Sequence, residues 1–182
     1  DVLPLFRRLE DHFLGESEHH GAGGGWRVEA PRLSWDILDA VGDAAEEMGI
    51  KRIPDFNTGN NEGTSYFHVN QKRGRRWSSA RGFLKPVLNR GNLRLEKNVL
   101  VDRLIVEHGR AVGVRFMQGG DVVEARTKGE VVLCAGSIGS TQVLHRSGIG
   151  PSDWLAPLGI DMVLDSPGVG RNLQDHLQQR AI

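Results

Sequence analysis

Apolar residues of VLPLFRRLEDHF fall at positions 2, 5, 6, 9 and 13, near the 3.6-residue period, and predict an amphipathic helix over 2–13. The polar, glycine-rich run GESEHHGAGGG at 15–25 interrupts it and predicts a surface loop. A short strand over 26–28 follows. The clearest helical pattern comes next, with Ile37, Leu38, Val41, Ala44, Ala45 and Met48 on one stripe. Ser34 is its candidate N-cap and Gly49 its stop, while Asp36 sits where the helix dipole favours an anion. That helix reads as structural. The run PDFNTGNNEGTS at 54–65 is dense in turn formers and predicts a long irregular loop, a kind of segment that often carries function.

From residue 92 the period shortens. Leu93 and Leu95 alternate with polar residues, and 99–106 is a β-branched run. His108-Gly109-Arg110 turns the chain into 111–116, Gly119-Gly120 turns it again, and 122–125 gives a further strand, so a β-meander is expected. Glu130–Cys134 (EVVLC) is almost continuously apolar, as expected of a strand buried on both faces. It runs into Ala135-Gly136-Ser137-Ile138-Gly139-Ser140. A helix is expected to start near Thr141, turn Val143 and Leu144 inward, and stop at Ser147-Gly148. No repeat is present. The fold class is α/β with α+β character.

Composition narrows the partners. Lys plus Arg equals Asp plus Glu at 23 each, so no global field draws the chain to nucleic acid or an anionic membrane. The basic run Lys72-Arg73-Gly74-Arg75-Arg76 reads as a solvated loop. A single cysteine, Cys134, excludes an internal disulfide and fits a reducing, cytoplasmic setting; from its strand it reads as an inert small hydrophobe. No apolar run approaches the ~20 residues of a membrane span, and peripheral membrane association stays open. The chain opens without Met or a leader pattern, so residues upstream are expected to be missing.

The strand–glycine–helix junction at 131–147 is the most suggestive local feature. Small residues there let a ligand approach bare backbone, and the helix N-terminus offers unpaired N–H groups. A plain tight βα turn is the competing reading, because AGSIGS is not the GxGxxG fingerprint and the chain contains none. A phosphate-binding module of another kind would need a P-loop, which is also absent. His19-His20 lie in a glycine loop without spaced carboxylate or Cys partners, so no metal is expected there. His176 follows an Asp and could act as a base, but reads first as a histidine that holds local structure.

Residues 136–150, GSIGSTQVLHRSGIG, resemble the second signature of the glucose–methanol–choline oxidoreductases, with Thr141 where that family usually has Pro or Ser. The resemblance continues through Pro151, Leu155, Leu158-Gly159-Ile160 and PGVGRNLQDHL at 167–177. It extends upstream through 92–114, GRRWSSARGFLKP at 74–86, DFNTGNNEG at 55–63 and DVLPLF, nearest the choline-dehydrogenase-like branch. The resemblance implies part of a Rossmann-like FAD domain, with 1–76 in the substrate-side cap, 77–150 in the FAD domain and 151–182 leading back toward the substrate. It implies FAD as cofactor, hydride transfer from a primary alcohol such as choline, and the rest of the same protein as partner. Val101 matches a backbone contact to the adenine side, Ala135, Gly136 and Ser137 match the turn beside the dinucleotide, and Asn172, Gln174, Asp175 and His176 match a segment near the cofactor. The family's dinucleotide fingerprint and catalytic histidine match nothing here, so no residue of this chain is named catalytic. The alternative is a fragment that folds without binding FAD.

Overall fold

The computed structural model describes residues 1–178, so the last four positions of the 151–182 segment lie outside the described residues. It divides into two units, Asp1–Leu95 and Glu96–Ile182.

In the first unit, α1 (Leu3–Leu9) opens with a proline in its first turn, where the missing N–H costs nothing. The helix does not reach residue 13. Glu10 is extended (φ −83°, ψ 148°), and β1 (Glu10–His12) pairs in parallel with β2 (Trp26–Val28). Main-chain bonds to the glycine run outcompete the helix: His12 N–H donates to Gly21 O and Gly24 N–H to Glu10 O, both at 2.9 Å. That run is therefore not a plain surface loop, because His20 and Gly21 are buried. A methyl added at Gly21 would overlap the Arg7 carbonyl, and one at Gly24 the Leu9 carbonyl, so the glycines are spacers for passing backbone.

Helix α2 (Asp36–Glu47) forms as expected, but its N-cap is Trp35 rather than Ser34, with no side-chain capping bond. Gly49 takes φ +87° just past its end. Arg52 ties the helix down, donating to Asp39 O at 2.8 Å and Glu46 Oε2 at 2.9 Å and pairing with Asp43. Most of the apolar stripe is exposed, with Ile37 at 66% and Met48 at 80%. The basic run is a hairpin and not a loop. Strand β3 (Gln71–Lys72) pairs antiparallel with β4 (Arg75–Arg76) across Arg73 (φ 54°) and Gly74 (φ 75°).

The second unit contains the expected meander, β5 (Val99–Glu107), β6 (Arg110–Gln118) and β7 (Asp121–Arg126), in that spatial order. Both hairpin turns have two residues of positive φ, His108-Gly109 and Gly119-Gly120, the geometry whose twist suits a tight hairpin. Helix α3 (Gly136–Arg146) packs on β5 and begins before Thr141. Its end is bolted by Ser147, whose hydroxyl accepts the Leu104 N–H at 2.8 Å and donates to Val143 O at 2.6 Å. Beyond it β8 (Ile149–Gly150) pairs in parallel with β9 (Leu164–Asp165), and α4 (Ser152–Leu155) lies between them in sequence. Among the described residues Phe116, Val143 and Leu155 are buried, and Pro151 is fully buried as well.

The expectation for Glu130–Cys134 is overturned. The segment joins no sheet, Val132 is 78% exposed and Cys134 is exposed. An apolar run is buried on both faces only when strands flank it, and no described strand pairs with this one.

Candidate functional site

Two arrangements could serve chemistry, each inside one unit. In the second unit, Ala135 is the N-cap of α3 and Gly136 adopts φ +77°. A β-branched residue would be strained there by about 1–3 kcal/mol. An added Cβ at 136 meets nothing within 4 Å, so conformation, not crowding within this chain, demands the glycine. Residues 135–137 are exposed. Ser140 Oγ accepts the Ala135 N–H at 3.2 Å and Thr141 Oγ1 donates to Ser137 O at 2.8 Å, but no side chain caps the helix. Its first-turn N–H groups therefore lack an internal acceptor, and bare main chain faces outward with the positive end of the helix dipole. The helix start is thus open to solvent on the side where the Gly136 Cβ would stand.

The other predicted residues fall into the same unit by different routes. Val101 lies on β5 opposite Phe116, beside a bulge, with 37% of its surface exposed. The segment after β9 is held on α3: a ring nitrogen of His145 is 3.2 Å from Val169 O, and Gly170 (φ +84°) passes close to the same ring. Arg171 then stacks over Trp154 at 4.6 Å. Asn172 (φ +56°), Gln174, Asp175 and His176 follow as exposed chain without regular structure, and His176 N–H donates to Asp175 Oδ1 at 2.8 Å. Among the described residues no hydrogen bond or ion pair joins these four to Val101 or to 135–137.

In the first unit the structure gathers residues that spacing could not reveal. β1 brings Glu10 and His12, the glycine run brings His20, the 54–65 loop brings Asp55, and His68 precedes β3. His20 Nδ1 lies 2.9 Å from Glu10 Oε2 and its Nε2 2.7 Å from Asp55 Oδ2, so the expectation that this histidine lacks carboxylate partners is corrected. His12 stacks on His20 with ring centroids 4.0 Å apart, and its Nε2 is 3.3 Å from His68 Nδ1. Burial pushes the His12 imidazole below its ordinary value, and His20 adds to this more strongly than Glu10 opposes it. Burial alone would raise Asp55; the Asn57 N–H (2.8 Å to Oδ1), His20 and His68 outweigh it and hold the carboxyl low. Beside the cluster opens a cavity of about 920 Å³ walled by Phe6, Leu9, Trp26 and Phe83, with Glu10, His20 and His68 also lining it.

Known proteins are similar to this chain over most of its length. An oxygen-dependent choline dehydrogenase of Pectobacterium atrosepticum is 41% identical over 180 residues, covering 98% of this chain and 32% of the relative. One from Burkholderia thailandensis matches equally, at 41% over the same share. Among solved structures, pyridoxine 4-oxidase from Mesorbium loti superposes with a TM-score of 0.90 at 35% identity, over 96% of this chain and 35% of that one. An FAD-dependent oxidoreductase from Chaetomium thermophilum follows at 0.88 and 26%, over 96% of this chain and 33% of that one. This chain thus spans about a third of the length of the relatives it matches. No described helix is long and apolar enough to cross a membrane. The fold is that of the FAD-binding oxidoreductases it superposes on, its small sheets forming part of a Rossmann-like domain. The profile of GMC oxidoreductases matches residues 1–178, and the chain belongs to that family.

Proposed function

We propose that this chain is part of an FAD-dependent enzyme that oxidises a primary alcohol, with choline or a compound of similar size as substrate. The observation that carries the reading is the exposed, uncapped main chain at 135–137, at the start of a helix packed on β5. The relatives' names, choline dehydrogenase and pyridoxine 4-oxidase, supply the substrate class. In this reading the Gly136 and Ser137 amides hold the polar backbone of the dinucleotide, Ala135 keeps the approach clear, and Val101 contributes through its main chain. Asn172, Gln174, Asp175 and His176 shape the neighbouring surface. When bound, FAD supplies the hydride acceptor, and the protein's contribution is placement and electrostatics. No residue here is assigned the proton. Segment 1–76 belongs to the substrate-side cap, 77–150 to the FAD domain and 151–182 to the return toward the substrate, and the cytoplasm is the assigned compartment.

One observation favours a second reading for the chain taken by itself. The apolar 130–134 run has no described strand beside it, so the chain alone presents an incomplete sheet and retains no flavin. Flavin absorbance separates the two. In the complete protein that carries this chain, Gly136→Val is expected to remove the flavin spectrum while circular dichroism stays near wild type. A variant that keeps its full flavin content refutes the assignment of this turn.

A further inference from the structure

We propose that His12, His68 and Asp55 form a site for one divalent transition-metal ion of zinc-like softness, braced by His20 and Glu10. The donors come from three separate segments and converge in one interior spot. His12 Nε2 stands 3.3 Å from His68 Nδ1, and His68 Nδ1 stands 3.5 Å from Asp55 Oδ2. Ligand atoms bonded to zinc at about 2.0–2.1 Å in a tetrahedron lie roughly 3.3–3.4 Å apart, so two edges of the coordination figure already have their length. All three donor atoms fall within 4.8 Å of one another.

The chemistry of the donor set selects the ion. Two imidazole nitrogens and one carboxylate suit zinc, cobalt or iron(II), whereas calcium and magnesium demand mostly oxygen. His12 and Asp55 are buried, and only 11% of the His68 side chain is exposed. Lone pairs turned toward one another at these distances repel unless a ring N–H or a metal ion sits between them.

The surroundings are those a metal site uses to orient its ligands. Asp55 Oδ1 accepts the Asn57 N–H, and Oδ2 is met by His20 Nε2 at 2.7 Å. His20 is held in turn by Glu10, whose Oε2 also accepts the Gly21 N–H at 2.9 Å. This carboxylate–imidazole–carboxylate chain fixes the ligating oxygen in place. A metal on His12 Nε2 requires the ring proton on Nδ1, and that tautomer gives up little, because the Leu14 N–H reaches Nδ1 only at a long 3.4 Å. Of the three donors His68 lines the 920 Å³ cavity, which gives water or a small ligand a route to the edge of the site.

The test uses the complete protein that carries this chain, stripped with a chelator and then equilibrated with zinc chloride or cobalt(II) chloride alone. Metal content is read by mass spectrometry and cobalt geometry by its visible d–d absorption. Expected are one equivalent of metal per chain and a tetrahedral cobalt spectrum. His12→Ala and Asp55→Asn should each lower affinity by at least about 100-fold, and His20→Gln by about 10-fold, the usual size of an outer-shell loss. His19→Ala, which changes a neighbour outside the cluster, should bind like wild type. Sub-stoichiometric metal in the wild type, or undiminished uptake in folded His12→Ala and Asp55→Asn, overturns the site and leaves a hydrogen-bonded cluster in its place. The wild-type stoichiometry decides the matter even where a variant fails to fold.

Discussion

Ser147→Ala tests how α3 is joined to the meander. Ser147 is buried, and its hydroxyl makes two hydrogen bonds, but the two are not worth the same. Val143 O keeps the backbone N–H of Ser147 at 3.1 Å when the hydroxyl goes, so it is left satisfied. Leu104 is different. It sits between two register shifts on β5, an outer strand of the three-stranded sheet, and Ser147 Oγ at 2.8 Å is the acceptor of its N–H. Orphaning a buried amide costs about 1–3 kcal/mol. Leu104 and Ser147 also line a cavity of about 460 Å³, from which water can reach the bared N–H and lower the penalty. The expected loss is therefore about 1–2 kcal/mol, toward the lower end of that range. Urea unfolding should show a lower midpoint at unchanged slope, and hydrogen exchange at the Leu104 amide should quicken by about 10-fold, since ~1.4 kcal/mol is one decade. A change under about 0.5 kcal/mol with Leu104 exchange unaltered refutes the reasoning, because it means that the hydroxyl does not carry the joint.

Three further outcomes follow from the same geometry. Gly21→Ala forces a methyl into the Arg7 carbonyl, so the backbone must move; a loss above about 3 kcal/mol or failure to accumulate folded protein is expected, read by thermal melting, and a near-neutral effect would show that the loop yields freely. His108→Asn places a residue that tolerates positive φ at the first position of the β5–β6 turn and should raise stability by a few tenths of a kcal/mol in the same assay, with a loss counting against the turn assignment. The Arg115 hydrogen bond at 3.0 Å, helped by Arg126, holds the exposed Glu124 carboxyl below its ordinary value against a smaller opposing effect of burial. Its contribution to stability is thus present above the unfolded pKa and lost as the pH falls through the folded one; an NMR titration midpoint that does not rise in Arg115→Ala would contradict this.

What the amino-acid order disclosed depends on how far apart the interacting parts lie. The meander was readable because each hairpin is closed by two residues whose type fits its turn, His108-Gly109 and Gly119-Gly120, and both strands of each pair are adjacent in sequence. Helices α2 and α3 were readable for the same local reason, although α3 starts at Gly136 and not at Thr141, because a glycine at φ +77° can open a helix that periodicity alone begins later. Glu130–Cys134 misled because an apolar run states what a strand needs, not whether its neighbours are present. The glycines at 21 and 24 misled in the opposite way. Composition marks such a run as loop, yet their reason is backbone from α1 and β1 passing where a side chain would be. The Glu10–His12–His20–Asp55–His68 cluster left no trace in spacing, since its hydrogen bonds join residues 10, 35 and 56 positions apart, and two of its members, Glu10 and His12, lie on the strand that pairs with β2. A buried group of this kind needs its partners in place before it is tolerable, so the parallel β1–β2 pairing and the cluster stand or fall together. A substitution that breaks either one, Gly21→Ala from the backbone side or Asp55→Asn from the side-chain side, should therefore perturb the same set of histidine NMR resonances. Disturbance of one set without the other would mean that the strand pairing and the charge network are independent.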